Sequence, residues 1–282
     1  MKRIEHLSEF PEISALGLGT TGFWSGSNAG LSACIREAVD RFGINVLDTA
    51  EMYGEGRCET ALARAIQGIE RDRLFLVDKI LPENADESHF RQSLHASLQR
   101  LGTDYIDLYL LHWRENADLS YLVHAMESAV REGLIRYWGV SNFDTTDMKD
   151  LLAIPFGDRC FCNQIFYNVY ERGCEYELLP LMKEYHILPM SYSSLGSDYH
   201  PHPDIHQNRA VMTLCKEEHI PPEAMMLKWN TEQGFCSLFS TSSITHLREN
   251  LQAIPQDIMK CFHDMIDREF PPPAHAYPLV KI

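Results

Sequence analysis

Ile44-Asn45-Val46-Leu47-Asp48-Thr49-Ala50-Glu51-Met52-Tyr53-Gly54-Glu55-Gly56 is the stretch that decides how the rest of the chain is read. It opens as a mostly apolar run, too short for a helix, that stops abruptly at Asp48. A short polar segment then carries Tyr53 into a turn at Gly54 and Gly56. A helical pattern follows, with Leu62, Ala65, Ile66 and Ile69 on one face. The order is strand, loop, helix, with an acid at the strand's carboxyl end and a phenol shortly after it. In α/β folds the carboxyl ends of strands are where chemistry is placed. Taken alone, the simpler reading has Asp48 capping a turn and Tyr53 packing at a rim.

The same alternation runs through the chain. Apolar runs that read as strands occupy 13–20, 74–79, 105–111, 134–140, 160–165, 187–192 and 236–239. Helical spacing fills much of the space between them, as in Leu31, Cys34, Ile35, Ala38, Val39 and Phe42, or Phe90, Leu94, Leu98 and Leu101. Residues 2–12 read as a short N-terminal strand and turn. Extra helices are expected at about 207–218 and 222–233, after the seventh strand, and at 245–251 and 256–267 near the C-terminus. The Pro-rich tail, 271–282, is expected over the surface. Alternating β and α segments imply a parallel sheet with right-handed crossovers, and eight of them imply closure. The expected fold is one (β/α)8 TIM barrel domain spanning 1–282.

Composition narrows the function. A net charge of −15 over 282 residues argues against nucleic acid or an anionic membrane as partner. The N-terminus lacks the apolar core of a signal peptide, and no apolar run approaches the length of a membrane span. The eight cysteines are scattered, which fits reduced thiols in a cytoplasmic protein. Cys160 and Cys162 are expected on opposite faces of a strand and so not to pair.

Four polar residues stand at or just beyond three consecutive strand ends: Asp48, Tyr53, Lys79 and His112. Each alone has a bland role, but a closed barrel brings all four to one mouth. A tyrosine titrates near ~10 in isolation. A nearby ammonium lowers that value, and an aspartate can hold the lysine in place. A neutral histidine can orient a carbonyl oxygen toward the phenol. The set suits protonation of an oxygen while hydride reaches its carbon, and side chains supply no hydride.

With these residues in view, the sequence resembles the aldo-keto reductases over nearly its whole length. LDTAEMYGEG is similar to the family's Asp-Thr-Ala-x-x-Tyr-Gly-x-Glu motif, LVDKI supplies Lys79 and LLHW supplies His112. The resemblance implies that Tyr53, Lys79, Asp48 and His112 are catalytic, with Tyr53 donating the proton. GVSNF, NQIFYN and SYSSLG imply that Ser141, Asn142, Gln164, Tyr192, Ser193 and Leu195 hold the nicotinamide end of the cofactor, alongside Gly19, Thr20, Thr21 and Asp48. LFSTSSITHLRENL implies that Ser240, Thr241, Ser242, His246, Glu249 and Asn250 hold the adenosine end.

Two departures stand out. Ser240 and His246 occupy positions where the family often has lysine and arginine, the cations that grip the 2′-phosphate of NADP. Thr241, Ser242 and Arg248 are the residues that could compensate in part. NADP(H) is therefore only weakly favoured over NAD(H). Ser194 replaces a proline, which is expected to loosen its turn. Trp24, Leu81 and Trp113, with Tyr53 and His112, are expected to wall the pocket.

The expected activity is NAD(P)H-dependent reduction of a small-molecule aldehyde or ketone by a monomer or weak oligomer. The rival reading is a nucleotide-sensing or regulatory subunit of the same fold, which would have no need of the tetrad. His200, His202 and His206 have the spacing of metal ligands, but prolines extend the loop and no further ligand converges on it. No metal is expected.

Overall fold

The structure is a computed structural model that describes residues 5–10, 12–25, 28–197, 202–255 and 260–281. Eight parallel strands close in sequence order: β1 (Leu16–Gly19), β2 (Val46–Asp48), β3 (Phe75–Ile80), β4 (Ile106–Leu111), β5 (Ile135–Ser141), β6 (Cys162–Phe166), β7 (Leu188–Tyr192) and β8 (Cys236–Phe239). β8 pairs back onto β1, so no edge is left open. The fold is the expected (β/α)8 barrel.

Strand alternation determines what reaches the mouth. Val46, Val77, Leu110, Cys162 and Met190 belong to one buried cluster inside the barrel, to which β2, β3, β4, β6 and β7 each contribute. Side chains two residues apart on a strand share a face. Two residues beyond those positions stand Asp48, Lys79, His112, Gln164 and Tyr192. Each strand therefore carries its inward face from apolar to polar at the carboxyl end. On β1 the interior is so tight that a Cβ on Gly17 would lie 2.6 Å from Leu238 and 2.7 Å from Val46. The opposite end is closed by Leu7, Ile13 and Phe10, with Phe10 edge-on to Phe161 at 5.2 Å. The N-terminal segment that supplies this plug is held by an antiparallel bridge, His6 to Ser14, with Leu7 N–H donating to the Ile13 carbonyl at 3.1 Å and Ala15 N–H to the Glu5 carbonyl at 2.8 Å.

The second apolar layer lies between barrel and helices. Four helices follow their sequence pattern: α1 (Asn28–Glu37), continued by a π turn to Phe42; α2 (Arg57–Ala65); α3 (Phe90–Leu101); and α4 (Leu119–Arg131). Two others have no apolar repeat to announce them. In α5 (Thr145–Leu152) only Met148 and Leu151 are buried, and a capping box from Asp144 starts the helix. In α6 (Leu178–Glu184) only Leu178 and Met182 are buried.

The extra helices are α7 (Arg209–Glu218) and α8 (Pro222–Glu232) before β8, then α9 (Ile244–Ala253) and α10 (Lys260–Glu269). Residues 256–259, expected to open the last helix, lie outside the described residues. The tail past 270 is mostly exposed, with Tyr277 donating to Glu171 at 2.8 Å and Lys281 pairing with Asp147 at 3.3 Å.

The two close cysteines separate for a different reason from the one expected. Positions two apart in a regular strand share a face. Here β6 begins only at Cys162, and Cys160 closes the helical turn before it. Cys160 packs in the outer layer and Cys162 inside the barrel, and both are free thiols.

Candidate active site

At the mouth, Lys79 is enclosed. Its Nζ donates to both carboxylate oxygens of Asp48 at 2.7 Å and to the carbonyl of Thr49 at 2.9 Å. The Tyr53 hydroxyl lies 3.4 Å away. Gln164 Nε2 adds a second donor to Asp48 at 2.9 Å. Burial opposes the charge on Lys79, but the Asp48 carboxylate and the phenol overcome it and hold the ammonium above its ordinary value. The buried ion pair is satisfied on both sides, the condition under which such a pair is tolerated.

Tyr53 differs from the simple expectation in one respect. Lys79 does lower its pKa, but burial raises it more, and Asp48 adds to the rise. Tyr53 is half-buried and lines the cleft, yet burial is the largest influence on it. The phenol therefore keeps its proton at neutral pH. The His112 ring meets Tyr53 edge-on, with centroids 5.7 Å apart. Burial, with the Lys79 charge behind it, pushes the pKa of His112 down to about 3. The imidazole is neutral, and its Nδ1 is buried without a partner among the described residues. That leaves Nε2 as the nitrogen able to serve a ligand.

The neighbouring strands supply hydrogen-bonding side chains. Ser141 Oγ donates to the Gln164 carbonyl at 2.9 Å, and Asn142 Nδ2 to the His112 carbonyl at 3.1 Å. Asn142 holds a left-handed backbone, φ 60°, and accepts from the Tyr192 hydroxyl at 2.7 Å. A cleft of about 710 Å³ joins these groups. Gly19, Thr20, Thr21, Asp48, Tyr53, His112, Ser141, Asn142, Gln164, Tyr192, Ser193, Leu195 and Ser240 all line it. Met52, Gly54, Ser194, Leu238 and Phe239 line it too and were not anticipated. The first two flank Tyr53 in its own turn, and the last two end β8.

Other expected residues stand further off. Thr241, Ser242, His246, Glu249 and Asn250 lie beyond the cleft lining, on the loop after β8 and on α9. Arg248 is engaged elsewhere: its Nε donates to Glu37 on α1 at 2.8 Å. Leu81 and Trp113 are half-buried just past their strands, and the Trp113 indole donates to Glu115 at 3.0 Å. The Trp24 side chain lies outside the described residues.

Ser194 is tied rather than loosened. It is buried, bonded to the Ser191 hydroxyl at 3.0 Å, and its carbonyl accepts from Asn230 at 3.1 Å. In the histidine loop, His200 lies outside the described residues. His202 stacks on Tyr170 at 4.3 Å and His206 pairs with Glu223 at 3.0 Å. Among the described residues no three His, Cys, Asp or Glu side chains are grouped to hold a metal.

The profile of the Aldo/keto reductase family matches residues 15–268. The chain belongs to that family. It is similar to "Methylglyoxal reductase YeaE" of Escherichia coli (strain K12), 34% identical over 266 residues, covering 93% of this chain and 92% of the relative. An "Aldo-keto reductase" of Mycobacterium marinum is 28% identical over 265 residues, 93% of this chain and 89% of its own. Among solved structures, an aldo/keto reductase from Klebsiella pneumoniae in complex with NADP and acetate superposes with a TM-score of 0.93. It is 34% identical, and the match covers 100% of both chains. This aldo-keto reductase is thus an oxidoreductase on a (β/α)8 barrel, and no helix among its described residues is long and apolar enough to cross a membrane.

Proposed function

We propose that the protein reduces an aldehyde or ketone to the alcohol with NADP(H), and that Tyr53 donates the proton. The observation that carries this reading is the Asp48–Lys79–Tyr53 chain of contacts at the cleft, with a neutral His112 edge-on to the phenol. The residues present fit a nicotinamide nucleotide. Ser141, Asn142 and Gln164 offer a hydroxyl and two amides, Tyr192 offers a ring, and the buried Thr20 Oγ1 in the same cleft has no hydrogen-bond partner among the described residues.

When bound, the cofactor supplies the hydride. The chain's own residues do the rest. His112 Nε2 orients the carbonyl oxygen by a hydrogen bond. Tyr53, protonated at neutral pH, gives its proton to that oxygen as negative charge develops there. Lys79 stabilises the phenolate left behind, and Asp48 keeps Lys79 charged and in place. The related protein named for methylglyoxal makes small 2-oxoaldehydes the first substrates to try.

NADP(H) is the favoured cofactor, on the strength of solved relatives that bind NADP and NADPH. Arg248, committed to Glu37, gives little support to the 2′-phosphate, which leaves Ser240, Thr241, Ser242 and His246 as its nearest polar groups. A purely regulatory role would make no use of the buried lysine. The test is loss of nicotinamide absorbance with NADPH and methylglyoxal or an aromatic aldehyde. Steady turnover is expected, and binding of NADPH with no turnover on any carbonyl would favour the regulatory reading.

A further inference from the structure

Behind the cleft, Glu51 joins the two pieces of chain that carry the reacting groups. Its main-chain N–H donates to the Lys79 carbonyl at 3.2 Å. Its carboxylate accepts from the Leu81 N–H at 2.7 Å and from Asn84 Nδ2 at 3.0 Å. The second carboxylate oxygen takes the hydroxyl of Ser93 on α3. One residue of the turn thus grips strand β3 at Lys79 and again two residues later, where the strand has ended.

Tyr53 follows two residues on, with its own N–H bonded back to Ala50 at 3.0 Å. The turn is neither helix nor strand: backbone bonds such as Glu55 N–H to the Met52 carbonyl and Cys58 N–H to the Tyr53 carbonyl, both at 3.2 Å, close it on itself, and it includes Glu55 and Gly56 at φ 57° and 83°. The Lys79–Tyr53 contact, at 3.4 Å, is the longest of the four polar contacts that the Lys79 ammonium makes among the described residues. Hydrogen bonds weaken steeply beyond such lengths, so a slip of the turn by well under ~1 Å would break it. A carboxylate is also a demanding choice here, because Glu59 and Asp78 are buried close by and the nearby Arg100 is already paired with Glu59 at 2.6 Å. Three donors offset that cost, and a carboxylate so saturated holds one position.

We propose that Glu51 is a positioning residue for Tyr53: its carboxylate fixes the turn against β3 and so sets the distance between the phenol and Lys79. This rests on Tyr53 being the proton donor. The experiment compares Glu51→Ala and Glu51→Gln in the wild-type and Tyr53→Phe backgrounds. Misplacing a reacting group by about 1 Å can cost up to about a hundredfold, so Glu51→Ala is expected to lower kcat by about ten- to a hundredfold, with the NADPH Kd within a few-fold. Glu51→Gln keeps an acceptor for the Leu81 N–H and should recover most of the loss. In the Tyr53→Phe background Glu51→Ala should cost almost nothing more, because the residue it positions is already disabled.

Equal losses in both backgrounds, or wild-type kcat in a folded Glu51→Ala, overturn the proposal. If Glu51→Ala does not fold, Ser93→Ala and Asn84→Ala each remove one donor and should show the same pattern with smaller loss. The NMR signals of the Tyr53 ring, assigned by their disappearance in Tyr53→Phe, read the same effect without turnover. They should move in Glu51→Ala and stay put in Glu51→Gln. Unmoved signals overturn the positioning role even in an inactive protein, whereas an inactive wild type overturns only the reductase reading.

Discussion

Replacing Asp48 by asparagine keeps the shape of the side chain and removes the charge that holds Lys79. In the wild type, two carboxylate contacts at 2.7 Å sit on an ammonium whose side chain is 1% exposed. Removing one partner of a buried ion pair costs about 3–5 kcal/mol, because the other charge is left uncompensated. Each kcal/mol lowers the melting temperature by about 2 °C in a chain of this length, so a loss of about 6–10 °C is expected if Lys79 stays charged. The variant has an easier route. A decade of proton affinity is worth about 1.4 kcal/mol, so the buried amine sheds its proton instead.

Stability and activity should then respond to pH in opposite directions. In Asp48→Asn the folded-state pKa of Lys79 is depressed, because burial, already the largest influence on it, is no longer answered by Asp48. A folded state that binds fewer protons than the unfolded one gains stability as pH rises. Between the depressed value and the ordinary ~10.4 of lysine, the variant should therefore approach the wild type in melting temperature. Over the same range its kcat should fall, because a neutral Lys79 no longer stabilises the phenolate. The assay is melting temperature and kcat for both proteins from pH 6 to 9. A stability gap between variant and wild type that is independent of pH would refute the reasoning. So would a double variant with Lys79→Met that is less stable than Asp48→Asn alone.

Tyr53→Phe should lower kcat by at least the ~10²–10⁴ typical of general acid catalysis, with the NADPH Kd nearly unchanged; wild-type turnover in this variant would remove Tyr53 from the mechanism. Ser240→Lys should tighten NADPH by roughly tenfold or more, since a charge-assisted hydrogen bond is worth about 1.5–3 kcal/mol, while NADH stays within about twofold; an equal gain for both would show that the new ammonium does not reach the 2′-phosphate. Asp78 is fully buried, and burial followed by the neighbouring Glu59 holds its carboxyl well above the usual range. Folding therefore favours its protonated form, and this support is complete below the unfolded value near ~3.9 and is lost as pH rises through the folded value. Asp78→Asn cannot ionise, so its melting temperature should gain on the wild type between pH 5 and pH 8, and a constant difference over that range would show that Asp78 is already ionised.

The strand-end places of Asp48, Lys79 and His112 were legible because strand periodicity fixes them. Once Val46, Val77 and Leu110 are read as inward-facing, a step of two residues leads to Asp48, Lys79 and His112 with no knowledge of packing. Helices α5 and α6 were not legible, since two buried residues in each leave no repeat to detect, and α6 has no side-chain cap at its start. Glu51 sits in the most informative motif of the chain and still went unread. Its partners Leu81, Asn84 and Ser93 lie on another segment, and local spacing gives no sign of them.

The cofactor's phosphate end shows the same limit more sharply. From sequence, Arg248 is a cation close to the phosphate loop and a natural substitute for the missing lysine and arginine. In the fold, α9 turns it toward α1, where Glu37 takes it and Arg41 together. A guanidinium on a helix chooses among every acid within its reach, and that choice depends on how two helices pack rather than on either sequence alone. Reading a charge from sequence therefore fixes its sign and its element, but not its partner. On this barrel Asp48, Lys79 and His112 are placed by the pleat of a strand, which is local, whereas Tyr53 stands in the turn beyond β2. The partner of Arg248 is set by a contact across the chain, and that is why the strand-end residues could be read from the sequence and that partner could not.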